Sequence, residues 1–220
     1  VLFTCEHASS RLPASWTWPE EDRWIATTHW AYDLGAAELA RELAVELRTV
    51  AVLARFSRLI ADPNRPENAG ELFRARADGL PVRLNAAISA DERERRLVPW
   101  RAYHAVLERE VAASTAPVLI AVHTFTPVYE GTPRSVELGV LFDREEQLAE
   151  GLRAAFETAG FSVASNEPYS GKLGLMYSVD RHAREHDRRA LEIELRQDLA
   201  IDPGARRRVV SAVARFLGAL

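Results

Sequence analysis

Pro117-Val118-Leu119-Ile120-Ala121-Val122-His123 is a short, unbroken apolar run with a proline before it and a histidine after it. A run of this length with no polar alternation reads as a strand buried on both faces, and such a strand needs helices above and below it. Working outward, Val1 to Thr4 is a second apolar run, and it ends at Cys5-Glu6-His7. Ala190-Leu191-Glu192-Ile193-Glu194-Leu195 is a third, with acidic residues at alternate positions. Val50 to Ala54, Arg58 to Ala61, Val136 to Phe142 and Phe161 to Ala164 complete the expected strands. Helices are expected over about 33–48, 90–113, 143–159 and 203–219, where apolar residues recur at helical spacing, as Leu39, Leu43 and Leu47 do. Residues 11–31 and 166–180 read as loops. Strands alternating with helices imply crossover connections, hence an α/β fold with a mostly parallel sheet. Its 220 residues fit a single domain spanning 1–220.

In such sheets ligands collect outside the carboxyl ends of the strands. His7, His123 and Glu194 all fall at or near predicted strand ends. The composition closes off other classes. Cys5 is the sole cysteine, so there is no internal disulfide and no cysteine zinc finger. The net charge of -4 argues against a nucleic-acid binder. No apolar run is long enough to span a bilayer, and the expected compartment is the cytoplasm. Lys172 is the only lysine among 28 basic residues, so a cationic grip on a substrate falls to arginine, which holds carboxylates bidentately.

Two histidines and a carboxylate with an open coordination position form a catalytic zinc site. His7 and His123 follow apolar strands, and Asp33 at the start of the first helix offers the third ligand. The bland alternative is a pair of hydrogen-bonded structural histidines. Glu192 and Glu194 point to one face of their strand. Either is a candidate general base, unless the strand lies at an edge with a solvated face. Arg58 and the stretch Asp62-Pro63-Asn64-Arg65 are suited to an oxyanion and a carboxylate respectively, although Asp-Pro-Asn is also an ordinary turn. His182 and His186 are spaced i, i+4 but sit among charges and read as a solvated face. His29 reads as a packed histidine or one that backs a ligand, and His104 as structural. Cys5 lacks the surroundings of a nucleophile.

Together these blocks resemble the N-formylglutamate amidohydrolase family. The matching stretches are Cys5-Glu6-His7-Ala8-Ser9, Ala31-Tyr32-Asp33-Leu34-Gly35-Ala36, Ser57 to Arg65, Val122-His123-Thr124-Phe125, and Glu192 to Leu199. The family is similar in fold to zinc carboxypeptidases and zinc-dependent N-acetylmuramoyl-L-alanine amidases. The resemblance therefore implies a three-layer, zinc-exopeptidase-like sandwich with a mostly parallel mixed sheet. It implies Zn2+ on His7, Asp33 and His123, with Glu6 as the fallback ligand because Ser10 stands where carboxypeptidases place a glutamate. It also implies Glu194 as the base, Arg58 at the scissile carbonyl, and Asn64 and Arg65 on a substrate carboxylate. Tyr169 or Tyr177 is expected to close over the substrate.

The expected activity is metal-dependent hydrolysis of the linear amide of a small N-formyl or N-acyl amino acid, N-formylglutamate first. The competing expectations are the same machinery acting on another N-acyl amino acid or peptide, and a non-catalytic carboxylate-binding protein of the same fold. The chain has His7-Ala8-Ser9 where the best-known formylglutamate hydrolases carry His-Ser-Gly, which leaves the substrate within the family open.

Overall fold

The structure is a computed structural model that describes residues 1–129 and 131–219. In chain order the elements are β1 (Leu2–Cys5), α1 (Ala36–Glu46), β2 (Ala51–Leu53), β3 (Arg76–Ala77), β4 (Leu80–Pro81), α2 (Ala90–Ala113), β5 (Val118–Phe125), β6 (Val128–Tyr129), β7 (Thr132–Pro133), β8 (Leu138–Leu141), α3 (Glu146–Thr158), β9 (Val163–Ser165), α4 (Tyr177–Glu185), β10 (Arg189–Arg196), α5 (Gln197–Ala200) and α6 (Pro203–Gly218).

Six strands form the main sheet in the order β2-β1-β5-β10-β8-β9. The first four are mutually parallel, β8 runs antiparallel to β10, and β9 pairs parallel with β8. The sheet is therefore mixed but mostly parallel. β3 with β4 and β6 with β7 form two small separate hairpins.

Strand alternation divides the core into two layers. Phe3, Ile120, Val122, Leu191, Ile193 and Leu195 pack on one face with apolar residues of α1, α3 and α6. Leu2, Leu119, Ala121 and Ala190 pack on the other with Tyr103, Leu107 and Val111 of α2 and Val179 and Ala183 of α4. The molecule is thus a helix–sheet–helix sandwich, as expected. By the same period of two, Glu6, His123, Glu192 and Glu194 belong to the α2/α4 face. There the apolar layer gives way to polar chemistry at the carboxyl edge of β1, β5 and β10.

Three expectations are corrected. Arg58 to Ala61 is not a strand: residues 58–60 form a turn, and the Ile60 N–H bonds the Ser57 carbonyl at 2.9 Å. The expected loop 166–180 contains the start of α4, whose apolar signal is only Val179 and Ala183 within a charged stretch. β5 does not stop at His123 but continues to Phe125, which sets His123 inside the sheet, opposite Glu194 of β10.

Candidate metal and catalytic centre

A cavity of about 150 Å³ opens at the carboxyl edge of the parallel strands. His7, Asp33, His123, Glu192 and Glu194 line its inner end, and Arg58, Arg65, Arg74 and Tyr169 contribute to the remaining wall. The backbone explains how residues so distant in sequence meet. His7 lies just beyond β1. Its carbonyl accepts the Asp33 N–H at 2.9 Å, which pins the segment leading into α1 against the end of the strand. His123 comes from the neighbouring strand, and its ring centroid lies 4.7 Å from that of His7.

Both imidazoles turn Nδ1 toward the same oxygen, Asp33 Oδ2, at 3.3 Å from His7 and 2.8 Å from His123. Each Nε2 is occupied by a different carboxylate: His7 by Asp62 Oδ1 at 2.8 Å and His123 by Glu6 Oε2 at 2.9 Å. The proton accounting follows. A carboxylate only accepts, so each Nε2 must carry the hydrogen. Without an ion, the surrounding carboxylates favour a second hydrogen on His123 Nδ1, directed at Asp33 Oδ2; an ion held between the three groups would take that hydrogen's place. A metal-bound histidine has the same arrangement, with the distal N–H given to a carboxylate and the proximal lone pair given to the ion. The donor set of two imidazoles and one carboxylate, all buried and with ligand atoms within 4.8 Å of one another, fits a zinc-type ion.

The surroundings are charged accordingly. Burial opposes ionisation of Asp33, but the two histidines outweigh it and hold its carboxyl far below the usual carboxylate range. Glu6 is likewise desolvated, yet its bond to His123 and that ring's charge pull it down to about 2. Burial alone would lower His123, but Glu192, Asp33 and Glu6 raise it well above the ordinary histidine value. Glu192 and Glu194 go the other way. Burial pushes Glu192 up to about 7 and Glu194 well above its usual value, with the neighbouring carboxylates adding to the shift. Each has one buried oxygen, Oε2, with no hydrogen-bond partner among the described residues.

The predicted residues sort as follows. His7, Asp33, His123, Glu194, Arg58, Asn64, Arg65 and Tyr169 all reach the cavity wall. Glu6 backs His123 from the far side of the ring. Arg58 donates Nε and Nη2 to Asp62 Oδ2 at 3.1 and 2.7 Å, and its Nη1 lies 3.7 Å from Asp33 Oδ1. The Asn64 amide is largely spent on the chain. Its Nδ2 donates to the Leu175 carbonyl at 2.9 Å, and its Oδ1 accepts the Ser178 N–H at 3.0 Å. Asn64 thereby fastens the 175–178 segment to the site loop.

Tyr177 is a correction. It does not line the cavity. Its ring packs edge-on to His104 at 6.0 Å and its hydroxyl meets Arg181, because the start of α4 turns that side chain away from the cavity. His182 is also corrected: it is buried, not on a solvated face, because α4 packs against α2 there. Sequence reasoning missed Arg74, which reaches the cavity from a charged stretch without periodicity, and the bond from Asp62 to His7. The Ser57–Arg65 block was the signal for Asp62, although turn chemistry alone accounts for that residue. His29 lines the cavity rather than packing out of sight.

The N-formylglutamate amidohydrolase family profile matches residues 1–201, which makes the chain an amidohydrolase. The chain belongs to that family. Among solved structures, a gene product of Agrobacterium tumefaciens is 30% identical, with a TM-score of 0.87 over 99% of this chain and 88% of that one. An N-formylglutamate amidohydrolase from Ralstonia eutropha JMP134 is 20% identical, with a TM-score of 0.67 over 97% and 91%. An N-acetylmuramoyl-L-alanine amidase from Clostridium difficile 630 shares the fold at 10% identity, with a TM-score of 0.50 over 99% and 94%. None of the curated proteins matches the chain.

Proposed function

We propose that this protein is a zinc-dependent hydrolase of the amide bond in small N-acyl amino acids, with N-formylglutamate as the first candidate substrate. The observation that carries the reading is the convergence of His7, His123 and Asp33, all buried and with ligand atoms within 4.8 Å of one another, each imidazole being backed at Nε2 by a further carboxylate. His7, Asp33 and His123 would hold the ion. A zinc ion bound there supplies a Lewis acid that lowers the pKa of water from 15.7 to about 7.

The chain's own residues do the rest. Glu194 lines the cavity, where its carboxylate takes a proton from the attacking water and returns it to the departing amine nitrogen. Arg58 is held by Asp62 through two of its nitrogens, which leaves Nη1 to meet negative charge developing on the carbonyl oxygen. Arg65 and Arg74 make no ion pair with a described residue and line the same cavity, so they bind the substrate carboxylates. Tyr169, about a third exposed, covers the opening. Asn64 keeps the wall in register through Leu175 and Ser178. The products are a carboxylic acid, formate in the first candidate, and the free amino acid. No described helix is long and apolar enough to cross a membrane.

The test is formate release from N-formylglutamate by the purified chain, with zinc counted before and after chelation. Activity that follows the zinc content is the expected result. Turnover indifferent to a chelator that strips the metal rejects the mechanism.

A further inference from the structure

A second meeting of imidazole and carboxylate groups lies outside the cavity, where α2 crosses α4. Glu108 projects from α2, and His182 and Glu185 from α4. One ligand atom from each lies within 4.8 Å of the others. His182 Nδ1 is 3.1 Å from Glu108 Oε2 and 3.7 Å from Glu185 Oε2. His186, the residue after the helix, places Nε2 at 2.6 Å from Glu108 Oε1. None of these residues lines the catalytic cavity.

The histidine is placed as a ligand would be. His182 is 1% exposed, and its Nε2 faces His104 Nδ1 at 2.9 Å, so one of these two nitrogens carries the shared hydrogen. With that hydrogen on His182 Nε2, a neutral His182 turns the lone pair of Nδ1 toward Glu108 and Glu185. A cation between the three would satisfy that lone pair and both carboxylates, while the distal nitrogen is fixed by a partner, as in a ligating histidine.

We propose that Glu108, His182 and Glu185, with His186 beside them, form a second cation site that takes a borderline divalent ion such as Zn2+. Imidazole combined with carboxylate selects that class over the hard, all-oxygen preference of Ca2+ or Mg2+. The carboxylates are half-exposed, so the ion enters from solvent, while the imidazole is anchored in the core. Bound there, the ion ties α2 to α4. α4 begins beside the 175–178 segment that Asn64 holds, so the site braces the wall of the cavity from outside.

The proposal does not depend on the hydrolase reading, and the experiment separates the two. The untagged full chain and a Glu108→Gln/Glu185→Gln variant are stripped with chelator, reloaded with excess zinc, desalted and counted for metal. Both changed residues are isosteric and partly exposed, so the variant is expected to fold, and circular dichroism checks that it does. The unaltered chain is expected to retain one zinc more per chain than the variant, and zinc is expected to raise its Tm further. Equal zinc counts in the two folded proteins overturn the proposal, as does an equal rise in Tm. A failure of the catalytic centre to hold zinc would lower both counts alike and leave the difference intact.

Discussion

Tyr103 donates its phenolic O–H to Glu6 Oε1 at 2.8 Å, while the other oxygen of that carboxylate takes His123 Nε2. A helix on one layer thereby orients a histidine in the sheet through a single buried acid. Burial, with the charge of Glu6 beside it, drives the phenol pKa well above its usual value, so Tyr103 remains a donor at any working pH. Tyr103→Phe leaves Glu6 Oε1 short of a partner inside the core. The expected cost is about 1–3 kcal/mol, a Tm drop of roughly 2–12 °C for a chain of this size. Zinc affinity should fall too, and Glu6→Gln, one step nearer the ligand, should weaken it by about 10–100-fold. Calorimetric zinc titration of the two variants checks the order, and a larger loss in Tyr103→Phe than in Glu6→Gln contradicts it.

His104 sets an acid limit on stability. Burial first, then the nearby His182 and Arg181, lower its pKa from 6.5 to about 3. Between these values the unfolded chain binds a proton that the native chain refuses, so stability falls as pH drops from 6.5 toward 3. At pH 5 this single group costs about 2 kcal/mol relative to neutral pH. Thermal melts at pH 5 and 7 should differ by a gap that narrows in His104→Gln, which keeps a polar side chain but does not titrate. An unchanged gap refutes the assignment.

The sheet and most helices were legible because their signals are local. The apolar run 117–122 and the alternation of Glu192 and Glu194 with Leu191, Ile193 and Leu195 belong to strands, whatever lies around them. The pairing of His7 and His123 with Asp33 was legible only through five blocks read together, since nothing in the spacing of residues 7, 33 and 123 marks a site. Arg58 to Ala61 misled because Leu59, Ile60 and Ala61 are as apolar as a strand, yet they are buried by packing of a turn. The start of α4 was missed, and Tyr177 misplaced, for the opposite reason. The helix buries Val179, His182 and Ala183 on one side, and the intervening charges hide that period. Asn64 fell in between: its place at the site was readable, but its amide is held by Leu175 and Ser178, over a hundred residues away.

Gly139 of β8 stands opposite Glu194 in the antiparallel pair. A Cβ there would collide with the Glu167 carbonyl and come within 3.3 Å of Glu194 Cβ. The strand needs a glycine because a loop crosses against it, not because of an unusual dihedral angle. Gly139→Ala should cost about 1–3 kcal/mol, as overpacking does, and should lower kcat more than it raises KM by shifting the base rather than the arginines. Steady-state kinetics beside a melt distinguish this from plain instability: a folded variant with unaltered kcat disproves the link to Glu194.

Glu194 carries the sharpest expectation, because function and stability pull it in opposite directions. Its carboxyl is buried with one oxygen unpartnered, and desolvation raises its pKa well above the usual value. A carboxyl that ionises more readily unfolded than folded gives up a proton to unfolding, so its contribution to stability is lost as pH rises above about 4.5. Glutamine keeps the shape and never ionises. In metal-free protein Glu194→Gln should therefore melt no lower than the unaltered chain at acid pH and higher at pH 8. The same change removes the proton acceptor and should cost about 10²–10⁴-fold in kcat, while His7, Asp33 and His123 still bind zinc. A general base held at the expense of the fold must show both effects. A variant that loses activity without gaining stability at pH 8 would mean that the buried carboxylate is better satisfied than its unpartnered oxygen indicates. A variant that gains stability and keeps turnover would pass the role to Glu192, whose own Oε2 is likewise unpartnered.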